Sequence, residues 1–578
     1  MNRIASGLRA LRLRLQRLFR IADWQATLLW AIVAGVLGAL ATEVFRGALH
    51  WADRLVLGGG DDGLVALARS LPWWARIAVP ALGGLVAGGL LVLARRTAVQ
   101  KATSDYMEAI VLGDGRIPVG QTLMRSASSL VSIASGGSIG REGSMVQLAA
   151  LCASLLGQWF RFPVERLRLL VACGAAAGLT AAYNAPIAGA FFVAEIVLGS
   201  IAMESIGPIM VASVVANVAM RALPGYQPAY EMPAFPDISG PEVLLFAVLG
   251  VLLGGAAALF LRGLGASRAL FARLPLALPG RLALGGLVVG LISVEMPEVW
   301  GNGYSVVNSV LHTPWPWTLL ALVLAAKFVA TMATAGSGAV GGVFTPALFF
   351  GCMIGGMFGQ AAQALWPHAT SAPFAYAIVG MGAFLAGASQ APLMAILMIF
   401  EMTLSYQVML PLMAASVIAY FVARSANAGS MYEITVRRRE QQDERLRLRT
   451  LHVRDLVQPP QTVVRPDAGV QEMRALFLQH PVKYLYVVDD ASLYLGVVPL
   501  KALTAAAEGP GLAHRTAGDL LAQEISPVTA DMNLGQALQR FMEHRGERLP
   551  VIESADNRLL LGVVAKSALL ATYVRLSE

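Results

Sequence analysis

The chain has 578 residues, 56% of them hydrophobic and only 14% charged, with a mean hydropathy of +0.62; soluble chains carry about 25% charged residues, so most of this one is built to lie in lipid. Its net charge of +8, from 44 basic and 36 acidic residues, does not point to nucleic acid, because arginines bracket the apolar region instead of forming a patch. Cys152, Cys173 and Cys352 lie in apolar surroundings with no CxxC or His-rich spacing, which leaves disulfide staples, zinc and iron-sulfur sites without support.

Residues 1–22 carry Arg3, Arg9, Arg12, Arg14, Arg17 and Arg20. Leu8, Leu11, Leu15 and Leu18 recur on one helical face among them, which suits a basic amphipathic helix at the cytoplasmic leaflet or, alternatively, a disordered basic tail. A secretory signal is excluded because several further apolar spans follow. Residues 23–435 form the membrane region, and 436–450 a charged linker with Arg437, Arg438, Arg439, Arg445, Arg447 and Arg449. Arginines before the first span and after the last place both termini in the cytoplasm by the positive-inside rule.

Within the membrane region many apolar stretches are short or broken by glycine, as at SGGSIG (135–140) and GSGAVGG (336–342). Irregular backbone at membrane depth survives only when buried in protein or lining a wet cavity, so these breaks are candidate ion sites. A weak internal repeat strengthens the case. Asn184-Ala185-Pro186-Ile187 recurs as Gln390-Ala391-Pro392-Leu393, each followed at the same spacing by a glutamate, Glu195 and Glu401. Upstream lie the glycine-rich breaks GREGS (140–144) and GVFTP (342–346). Interrupted helices at matching places in two repeats point to a midplane binding site.

The same breaks suggest which ion is carried. Pro186, Pro346 and Pro392 each suit the first turn of a helix, where the missing N–H costs nothing. Helices that start inside the membrane aim N–H groups and a positive dipole end at the ion path, which favours an anion without trapping it on a full positive charge. Glu142 stands in that cage: ionised, it competes with the permeant anion for the same amides, and protonated it withdraws. The bland alternative is a surface loop in which Arg141 and Glu142 are merely solvated.

From 451 onward the composition becomes that of an α/β soluble region, itself repeated. Val464-Arg465-Pro466-Asp467 with Leu485-Tyr486-Val487-Val488 matches Val528-Thr529-Ala530-Asp531 with Leu549-Pro550-Val551-Ile552. The pattern resembles tandem CBS domains, at 451–508 and 515–578.

With these motifs assembled, residues 24–432 resemble the CLC family of chloride channels and chloride/proton antiporters. The resemblance rests on GREGS, GLTAAYNAPIAGAFFVAE (178–195), SGAVGGVFTP (337–346), QAPLMAILMIFEMT (390–403) and Met431-Tyr432. It implies an all-α polytopic membrane domain, an inverted repeat with broken helices, joined to cytoplasmic α/β tandem CBS domains, and a homodimer with one pore per subunit in a bacterial inner membrane. It further implies Glu142 as the gating glutamate, with the amides of Arg141, Glu142 and Gly143 at an outer anion site. The amides of Val343 and Phe344 and the hydroxyl of Tyr432 would hold the central anion.

Four departures qualify the resemblance. Ser144 stands where the family has proline and is expected to cap the helix instead. The anion-binding serine has no clear counterpart; aligning Glu108 places Ala102 there, with Thr103 or Ser104 as the substitute hydroxyl. Glu195 matches the first of two adjacent glutamates, and Ile196 replaces the second, the inner proton relay. The ribose signature of nucleotide-binding CBS domains is missing, since Pro499 and Ala502 stand there in one repeat and Ala565 and Ala568 in the other. No cofactor is expected beyond bound chloride, and adenosine nucleotide binding has little support.

The expected function is therefore chloride transport by a glutamate-gated channel sensitive to voltage or pH, because Ile196 removes a proton acceptor, with chloride/proton antiport as the alternative. Glu195 is kept as a candidate proton residue beside Glu142. A magnesium channel with CBS domains would need clustered acidic oxygen ligands, which the membrane region lacks. No nucleophile-base pair or phosphate loop suggests an enzyme.

Overall fold

The computed structural model describes residues 23–57, 63–96, 105–223, 230–427, 429–432, 451–506, 515–522, 525–544 and 546–577. The 1–22 segment, Ser104 and the linker core lie outside the described residues. Two compact units divide the chain, Met1–Val436 and Arg437–Glu578.

Among the described residues the regular structure of the first unit is helical. Its helices are α1 (Asp23–Leu57), α2 (Gly63–Ser70), α3 (Trp73–Arg96), α4 (Tyr106–Val111), α5 (Val119–Ala134), α6 (Glu142–Trp159), α7 (Val164–Tyr183), α8 (Pro186–Phe191), α9 (Met203–Ala222), α10 (Glu242–Arg273), α11 (Leu278–Glu295), α12 (Tyr304–His312), α13 (Trp317–Gly336), α14 (Phe344–Leu365), α15 (Pro373–Ser389), α16 (Pro392–Thr403) and α17 (Met409–Ser425). A π-helical turn, Phe192–Leu198, continues α8. Among the described residues eight helices are long and apolar enough to cross a membrane. Their outer faces expose large apolar side chains such as Leu82, Leu244, Leu259, Leu322 and Leu410, the surface a lipid-embedded protein presents.

The repeat seen in the sequence is a repeat of backbone. α7 ends on Asn184 at φ 58° and α15 on Gln390 at φ 59°, the left-handed conformation that stops a helix. Ala185 (φ −126°, ψ 82°) and Ala391 (φ −131°, ψ 78°) then turn the chain, and proline opens α8 and α16. Helix packing repeats as well, α6 on α7 and α14 on α15. The second of these contacts is close enough that a Cβ on Gly351 would lie 2.2 Å from the carbonyl oxygen of Gly380.

The second unit contains two copies of one motif. In the first, β1 (Val463–Val464), α18 (Val470–Gln479), β2 (Tyr484–Val488), β3 (Tyr494–Pro499) and α19 (Leu500–Ala506) follow in order. β4 (Val528–Thr529), α20 (Leu534–Glu543), β5 (Arg548–Ile552), β6 (Leu560–Ala565) and α21 (Lys566–Ser577) repeat it. Each sheet pairs its first strand parallel and its third antiparallel to the middle one, and both carry a register shift at the same place, Val487/Val488 and Val551/Ile552.

Candidate functional site

The glycine-rich breaks of the two halves meet. Gly140 and Gly342 form an antiparallel bridge, with the Gly140 N–H donating to the Gly342 carbonyl at 2.7 Å and the Gly342 N–H to the Gly140 carbonyl at 2.9 Å. Each break leads directly into a helix, α6 from Glu142 and α14 from Phe344. Two helix N-termini, whose leading N–H groups have no intrahelical partner, are thus joined by a short ladder that lacks side chains. A Cβ on Gly140 would stand 2.1 Å from Glu142 Oε2 and one on Gly342 3.3 Å from it, so glycine at both positions makes room for the carboxylate.

Glu142 is only 2% exposed, which overturns the solvated-loop alternative. It is the first residue of α6, yet its side chain bonds to the other half of the protein. Oε1 accepts the Tyr304 hydroxyl at 2.9 Å and the Thr345 hydroxyl by a short bond. Thr345 also meets the Tyr183 hydroxyl at 2.9 Å. A hydroxyl carries one proton, and Thr345 spends its own on Glu142, so Tyr183 donates to Thr345. Oε2 is buried and takes no hydrogen bond among the described residues. The carboxylate thereby occupies the entrance of α14, where a helix dipole favours an anion.

The other sequence candidates take the following places. Arg141 precedes α6, its guanidinium 5.1 Å from the ring centroid of Tyr304, and Gly143 follows Glu142 in the first turn. Val343 caps α14 and Phe344 opens it, buried, with its ring 5.0 Å from that of Tyr183. Tyr432 is half-buried, edge-on to Phe192 at 5.6 Å. The segment before it is tied down by Met431 N–H donating to the Ala388 carbonyl and by the Ser430 hydroxyl donating to that of Ser389. Ser144 departs from expectation: α6 already begins at Glu142, so Ser144 is the third helical residue and its buried hydroxyl has no partner among the described residues.

Glu195 occupies a different kind of place. Its two oxygens accept the N–H groups of Leu393 (3.3 Å) and Met394 (2.8 Å), at the start of α16. Glu401 does the reverse, accepting Ile187 (2.9 Å) and Ala188 (2.7 Å) at the start of α8. Each half caps the other's proline-initiated helix. Ile196 beside Glu195 is fully buried.

Sequence reasoning missed Tyr183, Tyr304 and Thr345. Thr345 lies inside GVFTP and Tyr183 inside GLTAAYNAPI, so position could have flagged both. Tyr304 is carried by a short helix with no motif. Its placement depends on Gly303, which takes φ 92° against the Phe349 ring. It also depends on the buried Lys327, whose ammonium donates to the carbonyls of Val299 (2.9 Å) and Gly301 (2.7 Å).

Known proteins resemble the chain over both of its units. The family described as voltage gated chloride channel matches residues 83–424, and the CBS domain family matches 453–509 and 517–575. The chain is 54% identical over 418 residues to a ClcB-like chloride channel protein of Ralstonia nicotianae, covering 72% of this chain and 97% of that one. It is 41% identical over 408 residues to the voltage-gated ClC-type chloride channel ClcB of Salmonella typhimurium, covering 70% and 97%. Among solved structures, a slow cyanobacterial Cl⁻/H⁺ antiporter is similar at TM-score 0.61 and 26% identity, over 72% of this chain and 97% of that one. A eukaryotic CLC transporter shares the fold at TM-score 0.58 and 18% identity, over 94% and 97%.

Proposed function

We propose that this chain, which belongs to the CLC family of chloride channels and transporters and is a multi-pass membrane protein of chloride transport, works as a chloride/proton antiporter. The observation that carries the reading is the Glu142 carboxylate, buried at the entrance of α14 with one oxygen held by hydroxyls and the other without a protein donor. Ionised, it occupies ground that chloride would take. Protonated on Oε2, it loses its charge and its claim on the helix end, and chloride can replace it over the amides of Val343 and Phe344, with the Tyr432 hydroxyl assisting. A proton therefore moves on and off the same group that admits the anion.

The preference for a passive channel, drawn from Ile196, gives way here. Two features support exchange: the likeness to a solved Cl⁻/H⁺ antiporter, and a buried carboxylate with one oxygen left open to a proton among the described residues. The curated relatives carry channel names, which describe those proteins. Glu195 serves an inner proton step in this scheme only by leaving the amides of Leu393 and Met394. Homodimeric assembly with one pore per subunit, and a bacterial inner membrane with both termini cytoplasmic, belong to the same proposal; bacterial relatives and the flanking arginines support the latter.

The deciding experiment is a pH gradient across a bilayer holding the purified protein in symmetric chloride. An exchanger shifts the reversal potential away from zero. A reversal potential that stays at zero returns the protein to the passive class.

A further inference from the structure

The hydroxyls around Glu142 come from three separate elements: two of them meet one carboxylate oxygen, and the third backs one of those two. Tyr304 opens α12, Thr345 is the second residue of α14, and Tyr183 ends α7. All three protons point along one direction: Tyr183 to Thr345, Thr345 to Glu142, and Tyr304 to Glu142. A carboxylate accepts a hydroxyl more strongly than a neutral acid does, so these bonds are strongest to the charged side chain. The free oxygen, Oε2, is where a proton can arrive without displacing a donor.

We infer that Tyr304 and Thr345 are positioning residues that latch the ionised Glu142 across the entrance of α14, with Tyr183 fixing the direction of the Thr345 proton. The inference rests on reading Glu142 as the gate. The latch is strong while the carboxylate is charged and weakens once Oε2 is protonated, so protonation both removes the competing charge and loosens the side chain. The latch therefore sets the pH at which the gate yields.

Other charged or titratable groups near Glu142 are few. Arg141 precedes it on α6, Tyr230 lies edge-on to Tyr304 at 4.7 Å, and Tyr432 is within electrostatic reach. Neither arginine nor the phenols change charge between about pH 4 and 8. His50 on α1 lies near enough to Arg141 to feel its charge, and a His50→Gln background removes it.

The test is chloride efflux from proteoliposomes across that pH range. Tyr304→Phe, which keeps the ring, and Thr345→Val, which keeps the shape, should each move half-maximal flux about one pH unit upward. Flux at neutral pH should rise by about tenfold, one unit corresponding to a factor of ten in the protonation equilibrium. Thr345→Ser should restore the native profile, and Tyr183→Phe should give a smaller shift in the same direction. Native profiles for Tyr304→Phe and Thr345→Val, beside a pH-independent Glu142→Gln, would overturn the latch and leave the gate standing. A Glu142→Gln variant with the native pH profile would overturn both.

Discussion

Glu195 and Glu401 on one side of the comparison, and Glu142 on the other, are built from the same materials, a glutamate and a helix that begins inside the protein, and they end in opposite conditions. At the paired caps all four carboxylate oxygens receive backbone N–H groups. At Glu142 one oxygen receives two hydroxyls and the other receives nothing among the described residues. Amides are fixed by the helix they start, whereas hydroxyls rotate and a side chain can leave them. A carboxylate that saturates a helix end becomes part of the frame, and one that is half satisfied can be displaced by a passing anion. The difference lies in donor type and completeness.

The largest effect should come from breaking the caps. Each carboxylate makes two charge-assisted bonds of about 1.5–3 kcal/mol, so Glu401→Ala or Glu195→Ala should cost about 3–6 kcal/mol and lower the thermal unfolding temperature of the detergent-solubilised protein. An unchanged unfolding temperature would place these residues with Glu142 instead. Glu142→Gln should do the opposite: fold normally, conduct chloride with little pH dependence, and lose proton movement in the same vesicles. A variant that still pumps protons would show that the half-satisfied carboxylate is not the coupling group.

Smaller effects sharpen the comparison. Tyr432 contributes one hydroxyl against the backbone amides of Val343 and Phe344, and a hydrogen bond contributes about 1 kcal/mol net. Tyr432→Phe should therefore change anion affinity or selectivity by roughly fivefold; complete loss of transport in a folded protein would reverse the ranking of amides over hydroxyl. The smallest effect concerns the second unit, which supplies none of these groups. Ending the chain after the linker should leave chloride flux measurable, and titration with ATP should show no tight binding. Sub-micromolar affinity would mean that the repeats hold nucleotide without the missing ribose signature.

Much of this arrangement was legible in one sequence, for reasons that differ by residue. The NAPI and QAPL segments with glutamates at equal spacing revealed the repeat, because helix stops and starts are local chemistry: a residue that tolerates φ > 0, an alanine turn, a proline. That Glu195 caps the helix of the other half was not legible, since the exchange of partners exists only in space. Glu142 stood out as an acid among glycines, while Tyr304 gave no sign, its position being fixed by Gly303, Phe349 and the Lys327 anchor. Ser144 misled because a serine near a helix start reads as a cap unless the first residue is known, and here that residue is Glu142.

The Gly140–Gly342 bridge also bears on how the protein is made. The partners of Glu142 lie far along the chain, Thr345 being 203 residues away. At the usual pace of synthesis, 5–20 residues per second, roughly 10–40 s separate the emergence of the two. During that interval the first half is in the bilayer with an acid at the head of α6 and neither the ladder strand nor the hydroxyls that receive it. A lone charge at membrane depth is expensive, so the nascent half must keep Glu142 protonated or in contact with water until the second half arrives. The site therefore closes only once α14 has joined the first half, and until then Glu142 has neither Tyr304 nor Thr345 to hold it.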